Sequence, residues 1–216
     1  MRRIERRHAA WVAIGAAALM FLVGCRPNET KTLLEPSQAL GPVIAEEAIR
    51  AADANKKIAV ITHDDSWGPP STVEQAFTAA VEKQGFTVFT AKAAFLGDPM
   101  HMKGLGLQAN DFFEAVQNAA GAGAIVSFAG APLVTPDDAG QLPTNHPPIL
   151  VVATRNLGAE LGVPAPPDRL ESLLQAGIIQ LAIINGPSDS DSATPPKADA
   201  IHQLFAQNYT ILRQPQ

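Results

Sequence analysis

The densest group of side chains able to do chemistry is His63-Asp64-Asp65-Ser66-Trp67, followed by Gly68 and two prolines. Two carboxylates beside an imidazole can hold a cation or an ammonium group, and an indole can stack on an apolar or sugar-like ligand. Taken as a base, His63 with Asp64 or Asp65 would suit a hydrolase. The same residue types are ordinary turn formers, and Trp67 could equally cover a core edge, so ligand contact and turn formation both stay open at this stage. Ser127-Phe128-Ala129-Gly130 and Thr154-Arg155-Asn156 are further candidates. They offer hydroxyls, an aromatic ring and a guanidinium that could grip a carboxylate bidentately or simply pair with an acidic surface. Asn185, Gly186 and Ser188 form a third set.

Two other patterns carry less chemistry than they suggest. Met100-His101-Met102 offers thioethers suited to Cu(I), but three adjacent ligands rarely close a site alone, so no metal is expected. Gly104-Leu105-Gly106-Leu107-Gln108-Ala109 has the spacing of a dinucleotide fingerprint. It follows a long loop instead of a strand, so the turn that lays a pyrophosphate on a helix N-terminus is missing and no cofactor is expected. With no nucleophile elbow, paired-histidine metalloprotease motif or P-loop either, the expectation is a protein that binds without catalysis.

The candidates fall at the ends of apolar runs that read as strands. Residues 58–61, 86–90, 124–128, 149–153 and 178–184 are short, apolar and β-branched, suiting a parallel sheet buried on both faces. Between them lie helical patterns. One runs from Ser37 or Gln38 to about residue 54. The next opens with the capping box Ser71-Thr72-Val73-Glu74 and ends at Gly85. A third is capped by Asp111 with Glu114, and a fourth by Asp168 with Glu171. A last helix over 198–205 and an edge strand over 209–212 follow a Ser, Asp and Pro-rich loop near 186–197. Strands alternating with helices at this spacing imply right-handed crossovers. The expected fold is α/β, a doubly wound, mostly parallel sheet of five to six strands with helices on both faces, Rossmann-like or flavodoxin-like, over residues 37–214. Ligands of such sheets sit beyond the carboxyl ends of the strands, which is where the candidates lie.

The N-terminus has a different character. Four arginines against one glutamate give the first 24 residues a charge of +3, and residues 9–23 are apolar or small throughout. As a helix that run would span roughly 22 Å, short of the roughly 30 Å of a bilayer core, so it reads as a secretory signal. Leu22-Val23-Gly24-Cys25 then resembles a bacterial lipobox, with the chain's single cysteine in the last position. The resemblance implies a signal helix over 1–24, removed on processing, and lipidation of Cys25. A polar tether to residue 36 would follow, on a lipoprotein anchored to the cell envelope through its acyl chains. Arg26 in place of Asp resembles a signal that does not retain the protein at the inner membrane, which favours the periplasmic face of the outer membrane. The remaining 192 residues hold 12 basic and 20 acidic side chains, hence −8. That balance repels phosphate backbones and excludes nucleic-acid binding. At 46% apolar and 17% charged residues, the chain is too apolar to be disordered throughout.

Residues 40–132 resemble one lobe of the type 1 periplasmic solute-binding proteins. The likeness is carried by Lys56-Lys57-Ile58-Ala59-Val60-Ile61, Asp65-Ser66-Trp67-Gly68 and the run from Val81 through Gly85-Phe86 to Val88. Asn110-Asp111-Phe112-Phe113 and Gly123-Ala124-Ile125-Val126 extend it. That family implies two lobes closing on a solute, and this chain has room for one, so a homodimer could supply the second wall. A second resemblance, to response-regulator receiver domains, rests on Asp64-Asp65 and Thr154. The phosphoacceptor position after the third strand is Ser127-Phe128 and no lysine follows the fifth, so phosphotransfer is not expected. The expectation is an envelope lipoprotein whose crevice, built from His63 to Trp67, Ser127, Phe128, Thr154 and Arg155, binds a small polar solute or a partner protein. The alternative is a structural or assembly lipoprotein with no small-molecule ligand.

Overall fold

The computed structural model describes residues 29–52, 55–65, 68–97, 105–154, 166–186 and 199–215. The chain divides into two compact units, residues 1–35 and 36–216. Five α-helices occur among the described residues, α1 (Glu29–Ala51), α2 (Thr72–Lys83), α3 (Ala109–Asn118), α4 (Pro167–Gln175) and α5 (Ala200–Asn208), with one 3-10 helix over Pro136–Gln141. The strands are β1 (Lys57–His63), β2 (Thr87–Ala94), β3 (Leu107–Gln108), β4 (Ala124–Ser127), β5 (Pro132–Leu133), β6 (Ile149–Ala153), β7 (Leu181–Asn185) and β8 (Tyr209–Arg213). Cys25 and the signal segment over 1–24 lie outside the described residues. Among those described, no helix is long and apolar enough to cross a membrane.

Six strands form one sheet in the order β2-β1-β4-β6-β7-β8. All neighbours are parallel except β8, which runs antiparallel to β7 at the edge. β3 and β5 form a separate two-stranded parallel pair. The alternation of side chains across the sheet explains the continuous apolar runs. On β1, Ile58 and Val60 join one core and Ala59 and Ile61 the other. Each run must therefore be apolar at every position. Residues of α1, α2 and α5, including Leu40, Ile44, Phe77 and Phe205, pack on the first face. Phe112 and Val116 of α3 and Leu170, Leu173 and Leu174 of α4 pack on the second. The result is an α/β unit with a mostly parallel six-stranded sheet flanked by helices.

Two glycines mark where backbones meet. A Cβ on Gly41 of α1 would lie 2.8 Å from both the Ala76 Cβ and the Val73 carbonyl oxygen of α2, so only a hydrogen allows this helix pair to close. A Cβ on Gly123, entering β4, would lie 2.5 Å from the Asn55 carbonyl oxygen and collide with that of Ala52. The Gly123 amide meanwhile donates to the Lys57 carbonyl at 2.7 Å.

Several boundaries differ from the sequence reading. The first helix begins at Glu29 and not at Ser37 or Gln38, and Pro36 and Pro42 lie inside it. Each proline removes one intrahelical bond, and burial of Ala39, Leu40 and Val43 holds the helix together beyond Pro36. Gln108, not Asp111, caps α3; Asp111 stands in the first turn, where its carboxylate pairs with Lys92 of β2 at 3.2 Å. Pro166 caps α4, with Asp168 again in the first turn. The fifth strand starts at Leu181, because Ile178 and Ile179 belong to the turn after α4, where both amides reach the Leu173 carbonyl.

Candidate functional site

The strand order sets where a site can form. From β1 the chain pairs β2 on one side, and after β2 it crosses to the opposite side of β1 to form β4. The carboxyl ends of β1 and β4 are therefore the point at which the winding reverses and a crevice can open. Ile61 pairs with Ser127 and Ser127 with Val151, so the ends of β1, β4 and β6 adjoin. His63, Asp64 and Asp65 leave the first of these, Phe128 the second and Thr154 the third.

His63 is half-buried at the last position of β1, and its Nδ1 lies 3.1 Å from the Asp64 carbonyl oxygen, a contact that places the proton on Nδ1. Asp64 is half-buried, and its amide donates to the Ala94 carbonyl at 2.9 Å, continuing the β1–β2 ladder one step past the strand. Asp65 is exposed, and its carbonyl accepts the amide of Gly68 at 3.2 Å. Gly68 adopts φ 95°, a left-handed turn that glycine reaches without steric cost. Ser66, Trp67 and Arg155 lie outside the described residues, as do Met100, His101, Met102 and Gly104.

On β4, Ser127 is fully buried, and its hydroxyl donates to the Gly130 carbonyl at 2.7 Å, closing the turn beyond the strand. Phe128 is only 3% exposed, and its ring meets Phe77 of α2 edge-on at 5.1 Å between centroids. The ring is thus committed to the core. Thr154 is the exception among these hydroxyls. It is completely buried, and its Oγ1 is the one buried side-chain polar atom among the described residues without a hydrogen-bond partner. A buried hydroxyl left unpaired costs about 1–3 kcal/mol, so its position at a strand end beside the switch point is informative. Asn185 is half-buried at the end of β7, next to Gly186, whose amide donates to the Asn208 carbonyl at 3.1 Å.

Two residues at this end of the sheet escaped the sequence reading. The capping-box pattern placed Glu74 at the third position of α2, reaching back to the amide of Ser71. Half of the box forms, with the Glu74 amide donating to Ser71 Oγ at 3.1 Å. The carboxylate turns instead into the protein, where Thr62 Oγ1 donates to it at 2.9 Å. Glu74 is 6% exposed and Thr62 8%. Burial raises the Glu74 pKa above the ordinary carboxylate value, opposed by the Thr62 hydrogen bond and by the charge of His63 nearby. Phe95 is the second. It follows Ala94, the register partner of His63, and is 53% exposed, setting an aromatic ring at the carboxyl end of β2 beside Asp64. A single phenylalanine past an alternating strand gives no sequence signal of its own.

No cluster of three or more metal-ligating side chains occurs among the described residues. The arrangement offers carboxylates, an imidazole, an exposed ring and an unpaired hydroxyl, groups suited to hydrogen bonding and charge pairing. Comparison with known proteins yields no match to any family, to any curated protein or to any solved structure.

Proposed function

We propose that this chain is an extracytoplasmic lipoprotein, anchored to the bacterial envelope through lipidated Cys25. Its Rossmann-like or flavodoxin-like domain, resembling one lobe of the type 1 solute-binding proteins, binds a small polar solute without catalysis. The solute sits beyond the carboxyl ends of β1, β4 and β6. Its ligand residues are His63, Asp64, Asp65, Ser66, Trp67 and Arg155, while Thr154 is completely buried and Phe128 forms part of the packed floor. The observation that carries the reading is the unpaired, fully buried hydroxyl of Thr154 beside the point where the sheet reverses its winding.

The test is thermal unfolding of the full chain in mild detergent across a panel of amino acids, sugars, nucleosides and metal ions. A ligand at about 100 times its Kd adds roughly 2.7 kcal/mol, or about 5–11 °C for a unit of this size. The folded Asp65→Ala, Trp67→Ala double variant should lose that shift. A flat panel on a cooperatively unfolding protein would overturn the solute reading in favour of an assembly role. Crosslinking in cells would then recover the same partner protein from wild type and double variant.

A further inference from the structure

A second constellation lies away from the crevice, where α5 meets α1. His202 uses both ring nitrogens on carboxylates, with Nδ1 2.8 Å from Asp199 Oδ1 and Nε2 2.9 Å from Glu46 Oε2. Asp199 is the N-cap of α5 and also accepts the backbone amide of His202 at 3.0 Å. Glu46 belongs to α1. A neutral imidazole carries one N–H and one lone pair, so it can satisfy only one of two carboxylates and presents a lone pair to the other. The imidazolium alone fits both. Both contacts are hydrogen bonds only when the ring is protonated, and the hydrogen bond to Asp199, followed by that to Glu46, accordingly raises the His202 pKa.

We infer that His202 is a proton-operated clasp that ties α5 to α1 at low pH and releases it as the pH rises. On deprotonation the two contacts are not equivalent. Asp199 is three residues away on the same helix and keeps its bond to the His202 amide, so the tautomer with the proton on Nδ1 retains it. The Nε2 lone pair then faces Glu46, and the tie between helices opens. The remaining charges at this junction keep their own partners. Glu47, next to Glu46 on α1, is 7% exposed and binds Arg50 at 2.7 Å and Arg213 of β8 at 3.0 Å. These fixed cations leave His202 as the group that titrates the α1–α5 contact near neutral pH. The far end of α5 reaches the sheet's carboxyl edge, because the Asn208 carbonyl holds the Gly186 amide and the Gly186 carbonyl accepts Thr210 Oγ1 at 3.2 Å. Loosening α5 therefore acts on the strand end of β7. A raised histidine pKa stabilises the folded form fully below about 6.5, the unfolded value, and that contribution is lost as the pH rises through the folded pKa.

The experiment is an NMR titration of the His202 ring in the full chain. Amide exchange over residues 203–208 is followed in parallel, corrected for intrinsic rates. His202 should titrate above 6.5, and the opening equilibrium of α5 should rise roughly 1.5- to 5-fold across that titration. His202→Gln should remove the step, and Glu46→Gln should lower the His202 midpoint while abolishing the step with the imidazole still present. A midpoint at or below 6.5 would overturn the clasp. So would a raised midpoint with α5 opening that is flat in pH, since the proton would then be held by Asp199 alone.

Discussion

Removing the Thr62 hydroxyl isolates the buried polar pair Thr62 and Glu74. Thr62→Val keeps the β-branched shape inside β1 and deletes the donor to the Glu74 carboxylate, 2.9 Å away and 6% exposed. Hydrogen bonds to charged groups contribute about 1.5–3 kcal/mol, and neutral ones about 0.5–1.5 kcal/mol. The cost of Thr62→Val should therefore depend on the charge of Glu74. On the alkaline side of the raised pKa, urea unfolding should show the larger loss and thermal unfolding a fall in Tm of about 3–12 °C. Well below 4.5 the carboxyl is protonated in both folded and unfolded chains, and the loss should shrink to the neutral range. Glu74→Gln supplies the control. Because the folded pKa lies above the ordinary value, the folded state binds the proton more tightly. Wild-type stability must then fall as the pH rises from about 4.5 through the folded pKa, a slope that Glu74→Gln removes. In that background Thr62→Val should cost the neutral amount in both pH ranges. A loss below about 0.5 kcal/mol on the alkaline side of the raised pKa, or an equal loss there in the wild-type and Glu74→Gln backgrounds, would refute the reasoning.

Gly123→Ala should destabilise by about 1–3 kcal/mol, because its Cβ would press on the carbonyls of Ala52 and Asn55, backbone atoms that cannot rotate away; urea unfolding measures it, and a neutral substitution would show that the α1–β1 connection yields. Thr154→Val should stabilise the unliganded chain by about 1–3 kcal/mol, since it removes an unpaired buried hydroxyl while keeping the side chain's shape, and the same variant should weaken any solute found in the thermal panel. Destabilisation by Thr154→Val would mean that the hydroxyl has a partner in the free protein.

The sheet was legible because its signal is redundant. Ile149-Leu150-Val151-Val152-Ala153 forms β6 over the expected residues, since a strand buried on both faces admits no polar interruption. The other strands of the six-stranded sheet match in place but not in extent, and the short pair β3 and β5 forms where no strand was expected. β1 runs two residues past Ile61 to Thr62 and His63, because polarity marks the end of an apolar run and not the end of hydrogen bonding. Thr62 remains in the ladder, paired with Ala93, while its side chain meets Glu74. The helix starts were less legible for a related reason. Asp111 and Asp168 are favourable in a first turn as well as at a cap, where the helix dipole attracts negative charge, so an acidic residue locates the N-terminus only to within about a turn.

The site divides along the same line. Sequence order placed His63, Asp64, Asp65, Phe128 and Thr154 at strand ends, and the pairing of β1 with β4 and β4 with β6 brings those ends side by side. What each side chain does there depends on the face it takes, and that follows from register. Phe128 lies on the same face as Val126 and Val60, so it meets Phe77 of α2 and joins the core. Thr154 is two residues beyond Val152 and so shares that face, above the apolar layer and past the last strand residue, where no group among the described residues pairs with its hydroxyl. Glu74 reaches the same face from the helix side. Two polar groups have thus been retained in the layer that closes the apolar core, one paired and one not. Burial without a partner is a standing cost that a valine would remove, and a bound solute's hydrogen bond would offset it only once the groups covering Thr154 move apart. Thr62 is level with Val152 and Thr154 stands two residues further along the same face, so Thr154 is the residue whose substitution separates a binding crevice from a merely structural one.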